Sequence, residues 1–290
     1  MSPVSDPPWV LNHAPYTPWM HRRTAGPPGI SPLDMAEWTV RDQDFDAQMA
    51  YRRQILARDP EAVLASTTAG EEAGLELLSM VLSHLGDVAS DGSPRALTLK
   101  EMFCPFTALN NLVAEDWCLM QHDPEMGEYK LVAAILCFPA RWKLSEKMNR
   151  AMIRIHKPVK EYDDLMARRV GRLFDVLDEA RPLVRINWLV NTTPELFLPL
   201  GEEEKEIGNM PPASGFYVRT ERQTLVRLPR TRAVAFGIKT SVTPIDCLTA
   251  EQAAGMHAAM LAKDSEVLEY RVGDDKHSET LRRLEAIAAE

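Results

Sequence analysis

The sequence predicts an α+β fold: an antiparallel sheet of about five strands, with helices inserted between the second and third strands and further helices flanking it at both ends. Three observations carry this. Five segments, 115–121, 129–139, 183–191, 217–228 and 233–242, alternate or run apolar with Val, Ile, Thr and Leu, as strands do. The stretches around them repeat apolar residues at helical spacing. The resulting order of helices, two strands, helices, three strands, helices is one that a sheet with inserted helices produces.

Taken in order, residues 1–40 form an arm. Eight of the 21 prolines fall in the first 32 residues, including Pro7-Pro8 and Pro27-Pro28, which forbids regular structure. Trp9, Tyr16 and Trp19 are its anchors on a surface or a partner. The central unit, 41–248, opens with two helices, one marked by Phe45, Met49 and Leu56, the other by Leu75, Leu78, Leu82 and Leu85 behind a capping box at Thr68-Ala-Gly-Glu71. Ser90-Asp-Gly-Ser-Pro94 is a loop. The first two strands meet at a polar turn, His122-Asp-Pro124, and the nearly continuous apolar run from Leu131 to Pro139 calls for burial on both faces. Ser145 to Ile155 reads as one helix, and Tyr162, Leu165, Leu173 and Leu177 mark a longer one ending before Pro182. The charged loop Gly201–Ile207 separates the third strand from the fourth. Residues 249–290 are helical, starting at a second capping box, Thr249-Ala-Glu-Gln252, and ending in an amphipathic tail with Leu281, Leu284 and Ile287.

Composition removes several functions. The chain has 290 residues, 45% hydrophobic and 26% charged, which suits an ordinary soluble globular protein. A net charge of −9 argues against a phosphate-backbone binder. Cys104, Cys118, Cys137 and Cys247 include no CxxC pair, so neither a zinc ribbon nor a dithiol centre is written, and a reduced cytoplasmic setting is expected. No leader opens the chain and no run is long enough for a bilayer. HExxH, GxSxG, P-loop and GxGxxG motifs are all missing.

Among the seven histidines, His156 lies in Arg154-Ile-His-Lys-Pro158, at a break between helices that Pro158 fixes. An imidazole there can ligate a haem iron, or bond a carbonyl at a helix end. On the fourth strand, period two puts Arg219, Glu221, Gln223 and Arg227 on one face. If that face lines a cavity, Glu221 is a carboxylate for a cationic substrate and Arg219, Arg222 or Arg227 can meet a propionate; otherwise the row is a solvated sheet face. Arg185 and Asn187 share one side of the third strand and Trp188 takes the other, as a core residue or a cofactor contact. Asp116 is a strand-start residue or a second cavity acid. Cys104-Pro105 is a weak haem-regulatory dipeptide, with a buried structural cysteine the simpler reading.

The segments Glu115-Asp-Trp-Cys-Leu, Cys137-Phe-Pro-Ala-Arg-Trp142, Ile155-His-Lys-Pro-Val159, Val184-Arg-Ile-Asn-Trp188 and Glu221-Arg-Gln-Thr-Leu225 together resemble, in order and spacing, the haem-dependent oxidative N-demethylase family. The likeness runs from about Tyr16 to Pro244. It implies a PAS-like sheet holding haem b across 41–248, with His156 as proximal iron ligand and Glu221, then Asp116, as the acids that meet an amine. By the same resemblance Arg185, Trp188, Arg219, Arg222 and Gln223 are the residues expected around the cofactor. The implied reaction is demethylation of a small alkylamine such as dimethylamine with O₂. No dinucleotide fingerprint or plant-type cluster spacing is present, so flavin and a 2Fe–2S cluster are expected on a reductase partner subunit. Two other classes stay open: a haem-binding gas or ligand sensor without catalysis, and an assembly protein that binds no haem.

Overall fold

In this computed structural model the described residues are 6–21, 23–25, 29–155, 164–201, 214–262 and 274–290. After a 3₁₀ turn at Pro18–Met20, the chain forms strand β1 (Ile30–Pro32), then helices α1 (Phe45–Arg58) and α2 (Pro60–Val63), strand β2 (Leu64–Ser66) and helix α3 (Thr68–His84). Helices α4 (Leu99–Phe103) and α5 (Pro105–Leu112) lead into strands β3 (Asp116–Asp123) and β4 (Glu128–Ile135). Helices α6 (Leu144–Lys147), α7 (Met152–Ile155) and α8 (Asp164–Val176) precede β5 (Leu183–Asn191), β6 (Tyr217–Arg227) and β7 (Val234–Pro244). Helices α9 (Ala250–Leu261) and α10 (Asp274–Ala288) close the chain.

The seven strands make one antiparallel sheet in the order β1-β5-β6-β7-β3-β4-β2. The fold is therefore α+β as the sequence predicts, but with seven strands rather than about five. The two extra strands are three-residue edges, too short to show a period. Pro32 sits at the outer edge, where a missing N–H costs no ladder bond.

Local chemistry accounts for the other departures. The cap of α3 is Thr67, one residue before the expected box, and its Oγ1 accepts from Gly70 N at 3.1 Å. A Cβ at Gly70 would fall 2.3 Å from Val132 O, so the glycine lets α3 lie directly on β4. The expected helix 145–155 is two pieces: Asn149 takes a left-handed backbone (φ 55) and its N–H donates to Leu131 O at 2.8 Å, so the intervening turn pairs with β4. The turn after β3 lies one step beyond the expected place, with Gly127 at φ 67 and Asp123 Oδ1 accepting from Glu125 N. The Thr249 box forms as expected, Oγ1 accepting from Gln252 N and Gln252 Oε1 from Thr249 N.

One face of the sheet carries Trp117, Leu119, Ala133, Ile135 and Val226 and is covered by α3 and α5 through Leu77, Leu78, Phe106 and Leu109. The other carries Cys118, Leu131, Leu225 and Phe236 and packs on Leu144, Ile155, Leu173, Phe174 and Leu177 from α6, α7 and the chain through α8. The arm is fastened by its aromatics: Trp9 stacks on Tyr51 at 4.4 Å, and Trp19 meets Trp188 edge-on at 5.5 Å beneath α9 and α10. No helix among the described residues is long and apolar enough to cross a membrane.

Candidate functional site

Alternation along β6 turns Arg219, Glu221, Gln223, Leu225 and Arg227 to one face. The neighbouring strands set Arg185 opposite Gln223 and Asn187 opposite Glu221 on β5, and Ile238 and Thr240 opposite the same two residues on β7. A polar row thus crosses three strands, continued by the apolar side chains of Leu225, Phe236 and Cys118.

Glu221 is the focus of that row. Its Oε1 accepts from Arg219 Nε at 3.2 Å, and its Oε2 accepts from Gln223 Nε2 at 3.0 Å and Asn187 Nδ2 at 3.3 Å. Arg219 is fully buried, yet Glu221 and Gln223 keep 7% and 9% of their surface, so the carboxylate end of the network is the accessible end. Arg219 spends its other donors on Phe138 O at 2.5 Å, Leu196 O at 3.2 Å and Thr240 Oγ1 at 3.3 Å. It serves as the fixed counter-ion of Glu221, with every nitrogen engaged inside the protein.

Asp116 sits behind this arrangement and does not join it. Oδ1 accepts from Arg52 Nη1 at 2.6 Å and from Cys137 N at 2.7 Å, and Oδ2 accepts from Phe138 N at 2.8 Å. Both side chains of the ion pair are buried. Asp116 therefore fixes the peptide whose next carbonyl holds Arg219, two steps removed from Glu221. Burial pushes the nearby Cys137 thiol up to about 12 and that of Cys118 higher still.

Arg222, one residue out of phase with Glu221, faces the opposite side, where it donates to Trp38 O at 3.2 Å and Glu37 O at 2.5 Å and so ties down the arm. Trp188 is also out of phase and is packed against Trp19. Arg227 lies on the Glu221 face but beyond Leu225, donating to Phe174 O, Leu177 O, Arg232 O and the Tyr129 hydroxyl. Cys104 is exposed, between α4 and α5. His156 lies outside the described residues; Ile155 before it packs on the apolar part of the Glu221 face.

Asn187, Thr240 and the Phe138 carbonyl complete the site; the sequence placed Asn187 only as a strand neighbour of Arg185 and did not single out the other two. Alternation along β5 does put Asn187 beside Arg185, but its bond to Glu221 depends on cross-strand register. Among the described residues no group of three or more His, Cys, Asp or Glu side chains is placed to hold a metal ion. Beside the polar row the strip of Cys118, Leu225 and Phe236 is apolar and is covered by Leu144, Ile155 and Phe174, so a porphyrin would find an apolar wall with a charged border there only by parting those side chains.

A family model described as haem-dependent oxidative N-demethylase, alpha subunit-like, matches residues 93–280, which hold β3 to β7, the polar row and His156. With the match covering more than half of its 290 residues, the chain belongs to the haem-dependent oxidative N-demethylase alpha subunit-like family.

Proposed function

We propose that this protein is the haem-binding, substrate-binding subunit of an oxidative N-demethylase, acting on a small dimethylamine-like alkylamine with O₂ and with electrons from a flavin- and 2Fe–2S-bearing reductase partner. The observation that carries the reading is the Glu221 carboxylate, held by Arg219, Asn187 and Gln223 at the border between a polar row and an apolar floor. The order of the long strands, second-first-fifth-fourth-third across the sheet, with α6 to α8 between the second and third, supports a PAS-like arrangement. In such an arrangement a ligand lies between the sheet and those helices, the side on which Glu221 stands.

Haem b would be held by His156, with Arg185 and Gln223 as the polar groups for its propionates, and would have to lie between the Cys118, Leu225 and Phe236 strip and the side chains of Leu144, Ile155 and Phe174 that pack on that strip. When bound it supplies the activation of O₂. The rest falls to the chain. A dialkylamine is protonated near neutral pH, and a carboxylate about 4 Å away attracts it by roughly 4 kcal/mol at an effective dielectric near 20, from which both desolvation and the repulsion of the Arg219 guanidinium on the same carboxylate are subtracted. Arg219 prevents Glu221 from turning to other partners, so that attraction orients the amine with its N-methyl group toward the floor. One methyl carbon leaves as formaldehyde, the demethylated amine remains, two electrons and two protons enter from the partner side, and the second oxygen atom leaves as water.

The test is the optical spectrum of haem-loaded protein. A Soret band that His156→Ala shifts or abolishes supports the assignment; an unchanged band removes His156 from the iron. A protein that binds carbon monoxide or nitric oxide normally while ignoring every amine is a sensor, and the demethylase reading fails.

A further inference from the structure

Among the described residues every group that hydrogen-bonds Glu221 is a donor. A carboxylate only accepts, so Asn187 and Gln223 are both bound to it through their NH₂ ends. What each amide has left for a ligand is its oxygen, and among the described residues neither Asn187 Oδ1 nor Gln223 Oε1 accepts a hydrogen bond. Among the described residues three of the roughly four lone-pair positions of Glu221 are used, which leaves one. Apart from Arg185, which lies opposite Gln223 on the same face, the accessible end of the network offers acceptors: one carboxylate lone pair and two amide oxygens. Asn187 is the most open of these three side chains, being half-buried where Glu221 and Gln223 are buried.

Building on the amine-binding reading above, we infer that Asn187 is a specificity-determining residue that makes the site count N–H bonds on its cation. Glu221 attracts any small cation; the amide oxygen turned away from Glu221 is satisfied only by a cation with a second N–H. Methylammonium and dimethylammonium offer two or more. Trimethylammonium offers one, which the carboxylate takes, and tetramethylammonium none, so with these ligands the amide oxygens lose water without gaining a donor. That penalty, rather than pocket volume, separates the series.

The experiment titrates the haem-loaded full-length protein with the chlorides of all four cations, by calorimetry and by the Soret shift, in wild type, Asn187→Leu and Glu221→Gln. Wild type should bind dimethylammonium about tenfold tighter than trimethylammonium, and trimethylammonium tighter than tetramethylammonium. Asn187→Leu should compress the first ratio by about tenfold while still binding all four. Glu221→Gln should weaken every cation. If Asn187→Leu keeps the wild-type ratio, or wild type shows none, the inference is overturned and the amine site stands. If Glu221→Gln leaves all four affinities unchanged, the amine site itself is overturned. Asn187→Ala, checked for its far-ultraviolet circular dichroism, repeats the arm with a smaller side chain and must compress the ratio too.

Discussion

Arg219 Nε lies 3.2 Å from Glu221 Oε1, two residues along the same strand and on the same face, with the arginine sealed and the glutamate keeping 7% of its surface. A cation buried in this way contributes through what it leaves behind when removed. Arg219→Met strands a carboxylate and two carbonyl oxygens, so urea unfolding should report a loss of about 3–5 kcal/mol. Adding Glu221→Gln removes the stranded charge, and the double variant should recover about 1–3 kcal/mol of that loss. Strictly additive losses would show that the two side chains do not act as a pair.

Asp116 makes a contrasting prediction. Its oxygens are committed to Arg52 and to the amides of Cys137 and Phe138. Asp116→Asn should cost about 3 kcal/mol or more in stability, because the buried Arg52 loses its counter-charge, and should lower amine affinity much less than Glu221→Gln does. A variant with unchanged thermal stability and abolished amine binding would make Asp116 a cavity acid after all.

On the opposite face, the fully buried Lys239 Nζ is held by Asp44 Oδ1 at 2.8 Å and Asp42 Oδ1 at 3.2 Å. Burial, reinforced by the bond to Asp42, pushes the Asp44 carboxyl from 3.8 up to about 7. The folded state therefore holds this proton more tightly than the unfolded chain. Its stabilising effect is complete below about pH 4 and is lost as pH rises toward 7. Asp44→Asn, which imitates the protonated acid, should flatten the fall in unfolding free energy over that window. A slope identical to wild type contradicts the assignment.

The arm is structural by the same standard. Trp19 is 4% exposed, meets Trp188 edge-on, and donates from Nε1 to Gln252 O at 2.9 Å. Trp19→Ala should cost about 3–5 kcal/mol and expose the first forty residues to limited proteolysis before the sheet unfolds. Equal protease resistance in both proteins would show that the arm is held elsewhere.

Strand identity was legible because period two survives in single strands: β5 spans the predicted residues, and β6 and β7 differ only at their ends. The same period places Glu221 with Arg219 and Gln223 and turns Arg222 away, so the opposed face of Arg222 was readable from its number alone. β1 and β2 were not legible, since Ile30–Pro32 and Leu64–Ser66 are shorter than any period and exist only by pairing with β5 and β4. The anchoring role of Asp116 was hidden for a related reason. Its partners are 64, 21 and 22 residues away and two of them are backbone amides, which carry no side-chain signature. Asn187 was visible as a neighbour of Arg185, but which end of its amide is used follows only from the carboxylate across the ladder.

The most direct test of the account is the absorption spectrum of the haem-loaded protein titrated with dimethylammonium, recorded in parallel for Glu221→Gln. Wild type should show a saturable Soret perturbation, and the variant should need at least tenfold more ligand to reach it. A wild-type spectrum that dimethylammonium leaves untouched, or equal responses from the two proteins, contradicts it.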